Sequence, residues 1–442
     1  MRISKRQQIY AVFTVLPLLV LVFFIFYCKI EVPSIDEGVL VLPLLEKSFL
    51  GTLTFQDLFS QHCEHRPFFP RLLIILFARI TGWNKTAELM VSLFCAIGIF
   101  LLLKRQIKLT LIAANRLDQA IIVPLVSLIV FSLGQNDNFW MGMNLMLMMG
   151  FLCAVTGLLV LSNSFNWRQF FMALGLGVVA VYSYATGLTY WLIGTFPLLV
   201  SPMGARKRKL CIGIWLVVGG AVFLLYFYNF KRPAYTGFPV AKTIVLFSQP
   251  IEYIKFVSKY LGSAIAYFST KLAYLYVLLA FCGIPIAIRF LIQKKALSFV
   301  LFIPYITLSL FSLGSALLTG MSRAGWCSIM AFSSRYLTFS SLLWISVSVL
   351  VYLILVTSVR YSFVHKVSIA LLVAITCSIF FSSIRGGIEM VENRRALSGL
   401  KEEILRGTRI GHYSAYGRDA CLPERELDIL KKYRLSIFRI VR

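Results

Sequence analysis

Acidic side chains are scarce in this chain. Its 442 residues hold 18 Asp and Glu against 44 Lys and Arg, which gives a formal net charge of +26. In a soluble protein such an excess would indicate nucleic acid, but no nucleic-acid-reading motif accompanies it. In a membrane protein the same basic residues fix topology and contact anionic lipid headgroups. We therefore expect membrane lipids, and no nucleic acid, among the partners.

Motifs for bound cofactors are also missing. The nine cysteines form no CxxC pair, which argues against a cysteine metal centre. The sequence has no P-loop, no GxGxxG fingerprint after a strand and no GxSxG elbow, so it carries none of the usual nucleotide or serine-hydrolase signatures. No internal repeat is visible, which disfavours a transporter built from inverted repeats. We expect no cofactor, and only a weak H-x-x-H pattern keeps a divalent metal open.

Long apolar runs dominate what is present. The chain is 59% hydrophobic with a mean hydropathy of +0.82, whereas soluble domains are roughly 45–50% apolar. This predicts an all-α, polytopic membrane protein with spans of about 20 residues. The first run follows a basic segment without a small-residue cleavage site, so we interpret it as a retained span. The predicted spans are 9–28, 86–104, 119–134, 140–162, 169–184, 187–201, 210–229, 270–292, 297–317, 337–357 and 366–384.

Basic connections assign a side to each loop. The N-terminus carries Arg2, Lys5 and Arg6, which predicts a cytoplasmic start, and every second connection after it is basic. Eleven spans then place residues 385–442 in the periplasm as a small C-terminal segment after a membrane domain of residues 1–384. That segment is itself basic, and an even number of spans would turn it inward. Charge interrupts the stretches 67–82 and 244–268, which we expect to be interfacial or partly inserted helices within the outer loops 29–85 and 230–269.

Most polar motifs fall on the predicted outer face, beginning with the IDE segment. Asp36 and Glu37 lie just after the first span, where a partly desolvated carboxylate can act as a general base. Either residue could fill this role, and both could instead be solvated acids that end a helix.

The segment QHCEHRPFFPR crowds charges before an apolar stretch. Arg66 and Arg71 carry rigid donor forks that suit phosphate oxygens, although generic headgroup contact is an equal alternative. His62 and His65 could share a helix face as metal ligands, with Glu64 or Asp36 as a third ligand. His62, Glu64 and His65 are also candidate substrate-binding residues.

The segment MSRAGWCSIMAFSSRY repeats this pattern late in the chain. Arg323 and Arg335 stand at the outer ends of consecutive predicted spans, where they can converge on one phosphate or snorkel to the interface. Trp326 and Tyr336 suit either an interfacial belt or stacking on a sugar ring.

Two turns between predicted spans complete the candidate set. The QNDNFW turn offers Asn136, Asp137 and Trp140 as sugar-binding residues, although Asn and Asp also favour turns for local reasons. Tyr184 in the YSYATG turn is a weaker candidate of the same kind.

The early Asp-Glu pair in a first outer loop, the charged cluster after it and the arginine-rich late loop resemble the C-type (GT-C fold) membrane glycosyltransferases. Size and charge look most like the bacterial O-antigen-modifying glucosyltransferases of serotype-conversion gene clusters. The resemblance implies a catalytic carboxylate in the first outer loop, matched here by Asp36 with Glu37 beside it. It also implies a polyprenyl-phosphate sugar donor and a periplasm-facing site in the inner membrane.

Departures from this superfamily bear on the acceptor. HEHRPFFP stands where protein O-mannosyltransferases carry a His-Pro-Pro signature, and no large soluble domain follows. This favours a glycan or glycolipid acceptor such as O-antigen. One alternative is another lipid-glycan enzyme, namely an O-antigen polymerase or ligase. The other alternative is a transporter or flippase. A disulfide among Cys63, Cys327 and Cys421, all on the predicted oxidising face, is left open.

Overall fold

The computed structural model describes residues 5–116, 118–163, 165–231, 249–295, 297–324, 328–406, 413–415, 418–420 and 424–439. Within these ranges the chain is almost entirely helical. The helices are α1 Lys5–Cys28, α2 Ile35–Leu50, α3 Phe55–Phe59, α4 Phe68–Thr81, α5 Lys85–Ala113, α6 Ile122–Val130, α7 Asp137–Trp140, α8 Leu145–Leu161, α9 Trp167–Val181, α10 Gly187–Val200, α11 Ala205–Phe227, α12 Pro250–Ala266, α13 Thr270–Lys295, α14 Ile303–Arg323, α15 Leu337–Thr357, α16 Phe363–Arg406 and α17 Glu424–Lys432. One antiparallel pair, β1 Tyr413–Ala415 and β2 Arg418–Ala420, lies between α16 and α17.

Eight of the described helical segments are long and apolar enough to span a bilayer, which confirms the prediction of a multi-pass membrane protein in its general form. They coincide with eight of the predicted spans: Gln8–Cys28, Lys85–Ala113, Gly142–Leu161, Ala205–Phe227, Thr270–Lys294, Phe299–Arg323, Ser334–Thr357 and Phe363–Arg406. Three shorter apolar helices, Ile122–Gln135, Trp167–Val181 and Gly187–Val200, occupy the other three runs. The number of crossings stays a prediction.

The bundle has a protein-covered centre and an apolar outside. In the most apolar windows of α8 and α15, 78% and 83% of the residues are buried, against 17% for α1 and 22% for α13. The outward faces of the peripheral helices carry large exposed apolar side chains such as Phe23, Val217 and Leu224. Lipid tails solvate such faces, so this distribution is that of a helical bundle embedded in a bilayer.

The three short helices stop inside the bundle. Helices α9 and α10 have 15 and 14 residues, or roughly 21–23 Å, against a hydrocarbon thickness of about 30 Å. The backbone between them, residues 182–186, is buried. The chain after α6 likewise breaks into short 3₁₀ and α turns over residues 133–144, which are buried too. QNDNFW and YSYATG are thus breaks between helices, as predicted, but protein surrounds both breaks and satisfies their polar groups.

The last long helix runs past the predicted end of the membrane domain. Helix α16 has 44 residues, about 66 Å at 1.5 Å per residue. The apolar run ends near residue 384, but Arg385, Glu389 and Glu392 continue the helix without a break. Residue 384 is thus a change in composition within one element rather than a boundary between elements.

The C-terminal segment packs against the first loop. Ser436 N donates to the Gly82 carbonyl at 2.9 Å, and Arg439 reaches Glu31 at 3.4 Å. The ring of Tyr433 stacks on Phe49 at 5.0 Å between centroids. Residues 424–439 and the loop 29–85 therefore lie together at one end of the bundle.

A buried polar layer as the candidate functional site

Glu37 fastens the start of α2 to the rest of the bundle. Ser34 and Glu37 form a capping box, in which Ser34 N donates to Glu37 Oε2 at 2.6 Å. The same carboxylate accepts from Lys85 Nζ at 3.2 Å and from Met143 N at 3.2 Å. Glu37 is 1% exposed. Its carboxylate is thus occupied in joining α2, α5 and the segment before α8, which explains it without a catalytic role.

Asp36 lies in the first turn of α2, next to this junction. Its side chain falls outside the described part of the structure, so its role as base stays a prediction. The site contains a second buried carboxylate that the sequence reasoning missed. Glu88 on α5 is 1% exposed and accepts from Trp83 Nε1 at 2.9 Å. A carboxylate inside an apolar run is the sequence signal that could have identified it.

Gly142 permits the two carboxylates to approach the segment before α8. A Cβ atom there would lie 2.1 Å from Glu88 Oε2 and 3.2 Å from Glu37 Oε1. Any other residue at this position would displace the Glu88 carboxylate from where it lies.

Arg66 and Arg71 are buried and bind main-chain carbonyls. Arg66 is 5% exposed and donates to the carbonyls of Tyr226 (2.7 Å), Phe59 (3.1 Å) and Tyr228. Arg71, 3% exposed, donates to three carbonyls at the end of α3, including that of Leu58 at 2.9 Å. Arginine forks can satisfy unpaired carbonyls as well as phosphates. The predicted phosphate contacts of both residues have no support from this geometry.

Arg323 and Arg335 have a different environment. Arg323, at the end of α14, donates through Nε to Glu64 Oε1 at 3.0 Å. Arg335 Nε lies 3.7 Å from Asp137 Oδ2 and donates to Ser333 Oγ at 3.2 Å. The two side chains keep 14% and 26% of their surface exposed. Each arginine therefore pairs with a carboxylate and keeps part of its side chain exposed.

His65 lies beside the Glu64–Arg323 pair. Its ring stacks on Tyr184 at 4.2 Å between centroids, and its Nδ1 accepts from Ala185 N at 3.2 Å. Burial lowers the pKa of His65 to about 4; nearby Glu64 raises it in part, and Arg323 lowers it further. The imidazole is thus neutral, with its proton on Nε2.

His62 and His65 do not share a helix face. Their backbones exchange two hydrogen bonds of 2.8 Å across a tight turn that contains Cys63, so the helical spacing assumed for a metal pair is wrong. Within the described ranges, no group of three His, Cys, Asp or Glu side chains has the spacing of a metal site. Cys327 and Cys421, which enter the open disulfide question with Cys63, lie outside the described residues.

The QNDN segment is a buried hydrogen-bond network. Asn136 Nδ2 donates to Glu389 Oε2 at 2.9 Å, and Asn138 Nδ2 donates to Thr338 Oγ1 at 2.7 Å. Trp140 Nε1 donates to Asp137 Oδ1 at 3.2 Å. Asn136, Asp137 and Trp140 are 0%, 1% and 5% exposed. They hold Arg335 and the broken helix in place rather than offering a sugar-binding surface of their own.

Tyrosines line the same layer. Tyr184 lies between His65 and Phe339, and Tyr336 stacks on Tyr260 at 5.1 Å. Tyr184 and Tyr336 are 5% and 3% exposed, so neither presents a ring face at the surface. Trp326, the other predicted stacking residue, lies outside the described residues. Tyr260 comes from α12, which lies in the stretch 244–268 that the sequence predicted to be interfacial or partly inserted.

These buried and partly buried residues are neighbours through contacts and electrostatic interactions, and we call them the polar layer. Its members are Glu37, Glu64, His65, Lys85, Glu88, Asp137, Trp140, Tyr184, Arg323, Arg335, Tyr336 and Glu389. It lies at the end of the bundle that also holds the first loop and residues 424–439. Most members were among the candidates predicted from the sequence, whereas Lys85, Glu88 and Glu389 were not.

A groove adjoins the polar layer on the outside of α16. Its volume is about 570 Å³, and its lining combines apolar side chains with Arg385, Glu389 and Glu392. Glu389 also accepts from Tyr267 Oη at 2.7 Å and from Asn136, so one residue connects the groove to the layer.

Comparison with known proteins adds no assignment. No protein-family model, curated protein or solved structure matches this chain.

Proposed function

We propose that the chain is a membrane glycosyltransferase. It would move a sugar, with glucose as the first choice, from a polyprenyl-phosphate donor to a lipid-linked glycan such as O-antigen at the periplasmic face of the inner membrane. The observation that carries the proposal is that Arg323 and Arg335 each pair with a carboxylate of the polar layer and yet keep 14% and 26% of their side-chain surface exposed. Two partly exposed arginines in a low-dielectric layer suit a phosphate on which negative charge develops as the sugar leaves.

The donor's lipid chain needs a path beside these arginines. The groove on α16 supplies one, because Phe268, Phe381 and Ile388 form an apolar wall and Glu389 connects that wall to the polar layer. An isoprenoid chain would lie along this wall with its phosphate directed inward.

The acceptor hydroxyl needs a base. Asp36 is our candidate, since its backbone lies one residue from Glu37, whose carboxylate contacts the segment before α8. The carboxylate would take the hydroxyl proton while the oxygen attacks the anomeric carbon. The bond from that carbon to the phosphate oxygen breaks, and polyprenyl phosphate leaves with both electrons.

The proposed topology has a cytoplasmic N-terminus and eleven crossings. The packing of residues 424–439 on the first loop supports it, because an odd number of crossings puts these two segments on the same side. A cysteine accessibility scan of the N-terminus and of residues 395–406 would test it.

The first experiment compares Arg335→Gln with Arg360→Gln in nanodiscs supplied with a synthetic polyprenyl-phosphate glucose and a lipid-linked glycan. Arg360 is exposed and follows the end of α15 opposite to Arg335, which makes it a matched control for the loss of one arginine. We expect Arg335→Gln to lower kcat about 10²–10³-fold, as for loss of one transition-state donor. Arg335→Lys should recover part of the rate, and Arg360→Gln should match the wild type.

Two results would contradict the proposal. Equal rates for Arg335→Gln and the wild type would remove the arginine pair from the chemistry. If the wild type consumes no donor across a panel of polyprenyl-phosphate hexoses, yet moves labelled lipid between leaflets, the transporter alternative replaces the enzyme.

Mass analysis of lipopolysaccharide from cells expressing wild type or Asp36→Asn then tests the acceptor and the base separately.

A further inference from the structure

A second cavity lies at the opposite end of the bundle. Its volume is about 530 Å³, within the usual range of small-molecule sites. It is bounded by the C-terminal halves of α5, α8 and α10 and by the 3₁₀ turn Phe299–Phe302 that precedes α14. None of these segments contributes to the polar layer, so the proposed transfer reaction does not use this cavity.

The buried part of the cavity lining is polar, and hydrogen bonds hold its side chains in place. Gln106 and Thr110 are 6% and 2% exposed. Gln106 Oε1 accepts from Asn163 Nδ2 at 2.9 Å, and Thr110 Oγ1 pairs with Tyr305 Oη at 2.8 Å. The first of these bonds uses the oxygen of Gln106 and the nitrogen of Asn163. A donor group on Gln106 and an acceptor on Asn163 are therefore left for a bound molecule.

Charge in the cavity has one sign. Arg105 contributes to the lining, and among the described lining residues none is acidic. Just beyond the wall, Arg208 donates to the carbonyls of Ser201 (3.0 Å) and Met203 (3.1 Å), and Ser201 itself lines the cavity. The Lys207 ammonium lies 4.0 Å from the ring centroid of Phe165 at the same end. An anion is the complementary occupant.

The wall between α5 and the 3₁₀ turn is apolar and faces outward. Leu109 and Val300 are each 44% exposed and also line the cavity. Pro304 and Leu102 extend the same wall inward. A molecule with apolar chains could thus lie against the outside of the bundle while its charged head occupies the cavity.

We propose that this cavity binds the headgroup of an anionic glycerophospholipid from the leaflet opposite the polar layer. The phosphodiester would contact Arg105, and the glycerol or headgroup hydroxyls would pair with Gln106 and Asn163. Basic pockets between membrane helices are suited to such headgroups. The acyl chains would cover Leu109 and Val300. This site is separate from the proposed sugar transfer and does not depend on it.

The test measures lipid retained by the full-length protein. Wild type, Arg105→Gln, Asn163→Leu and Arg360→Gln are purified from matched nanodiscs that contain phosphatidylethanolamine and phosphatidylglycerol. Native mass spectrometry then counts the bound lipids. We expect wild type and Arg360→Gln to retain one phosphatidylglycerol in preference to phosphatidylethanolamine. Arg105→Gln should retain it about tenfold less well, as for loss of one charge-assisted contact. A photoreactive phosphatidylglycerol should cross-link to the α5 peptide around residues 102–113.

Three results would overturn the proposal. Arg105→Gln and Asn163→Leu could each retain phosphatidylglycerol as well as the wild type. Arg360→Gln could lose the lipid to the same extent as Arg105→Gln, which would indicate general surface charge. Glycerol phosphate without acyl chains could compete at the affinity of the lipid, which would indicate a soluble anion. Melting temperatures of all variants, measured without phosphatidylglycerol, identify any variant that is misfolded, and the remaining lining variant then decides the outcome.

Discussion

The buried ion pair between Lys85 and Glu37 gives the sharpest test of how the polar layer is held together. The two residues are 6% and 1% exposed, and Lys85 Nζ lies 3.2 Å both from Glu37 Oε2 and from the Val32 carbonyl. Lys85→Met removes both contacts and leaves the Glu37 carboxylate buried without its cation. Breaking such a pair costs about 3–5 kcal/mol of unfolding free energy.

The double variant Glu37→Gln with Lys85→Met should recover part of this loss. Ser34 N donates to Glu37 Oε2 and Met143 N to Oε1, so the single oxygen of a neutral amide keeps one of these two bonds, but no buried charge is left unpaired. The two single changes should therefore be strongly non-additive.

Thermal unfolding in one detergent, followed by intrinsic fluorescence, measures all variants. Lys255→Met is the matched control, because Lys255 pairs with Glu252 at 2.7 Å where both side chains are nearly half exposed. This control should not change the melting temperature measurably. A buried pair of this kind is refuted if Lys85→Met melts at the temperature of the wild type, or if the double variant loses the full sum of the single losses. A stable double variant that transfers no sugar would show that the Glu37–Lys85 pair is needed for transfer as well as for stability.

Two further predictions follow from burial. Stability should fall as the pH drops from about 6.5 towards 4, because unfolded His65 takes up a proton there and the folded residue, with a pKa of about 4, does not. The loss approaches about 3 kcal/mol below pH 4, and His65→Phe should flatten this part of a melting-temperature profile; parallel profiles would contradict it. Gly386→Ala should lower the melting temperature, because its Cβ would lie 2.0 Å from the Leu133 carbonyl oxygen, whereas Gly399→Ala, with no atom within 4 Å, should not. Equal melting by the two alanine variants would refute the close packing.

The spans were predictable because hydropathy alone encodes them. A helix in lipid satisfies its own backbone, so an apolar run of sufficient length needs no information from its neighbours. This is why the predicted runs and the long helices coincide. Helix α16 is longer than the predicted span 366–384, because its charged second half still contains good helix formers after the apolar pattern ends.

The candidate site was predictable only in part. Arg66 and Arg335 have similar surroundings in the sequence. In the structure, Arg66 donates to the Tyr226 carbonyl of α11, whereas 26% of the Arg335 side chain is exposed. What separates them is the fold of segments more than a hundred residues away. The burial of the QNDNFW turn was not predictable either, because a turn inside a bundle has the same composition as a turn at its surface.

The contact between residues 424–439 and the first loop has a consequence for biosynthesis. The ribosome releases Gly82 and Glu31 into the membrane long before Ser436 and Arg439, so the early loop must wait for this much later segment before its packing is complete. Domains generally assemble from the N-terminus as the chain emerges. Here a late assembly step instead joins residues 424–439 to the first loop at one end of the bundle. A chain truncated after α16 would insert its spans yet present an unfinished first loop, which surface proteases could recognise.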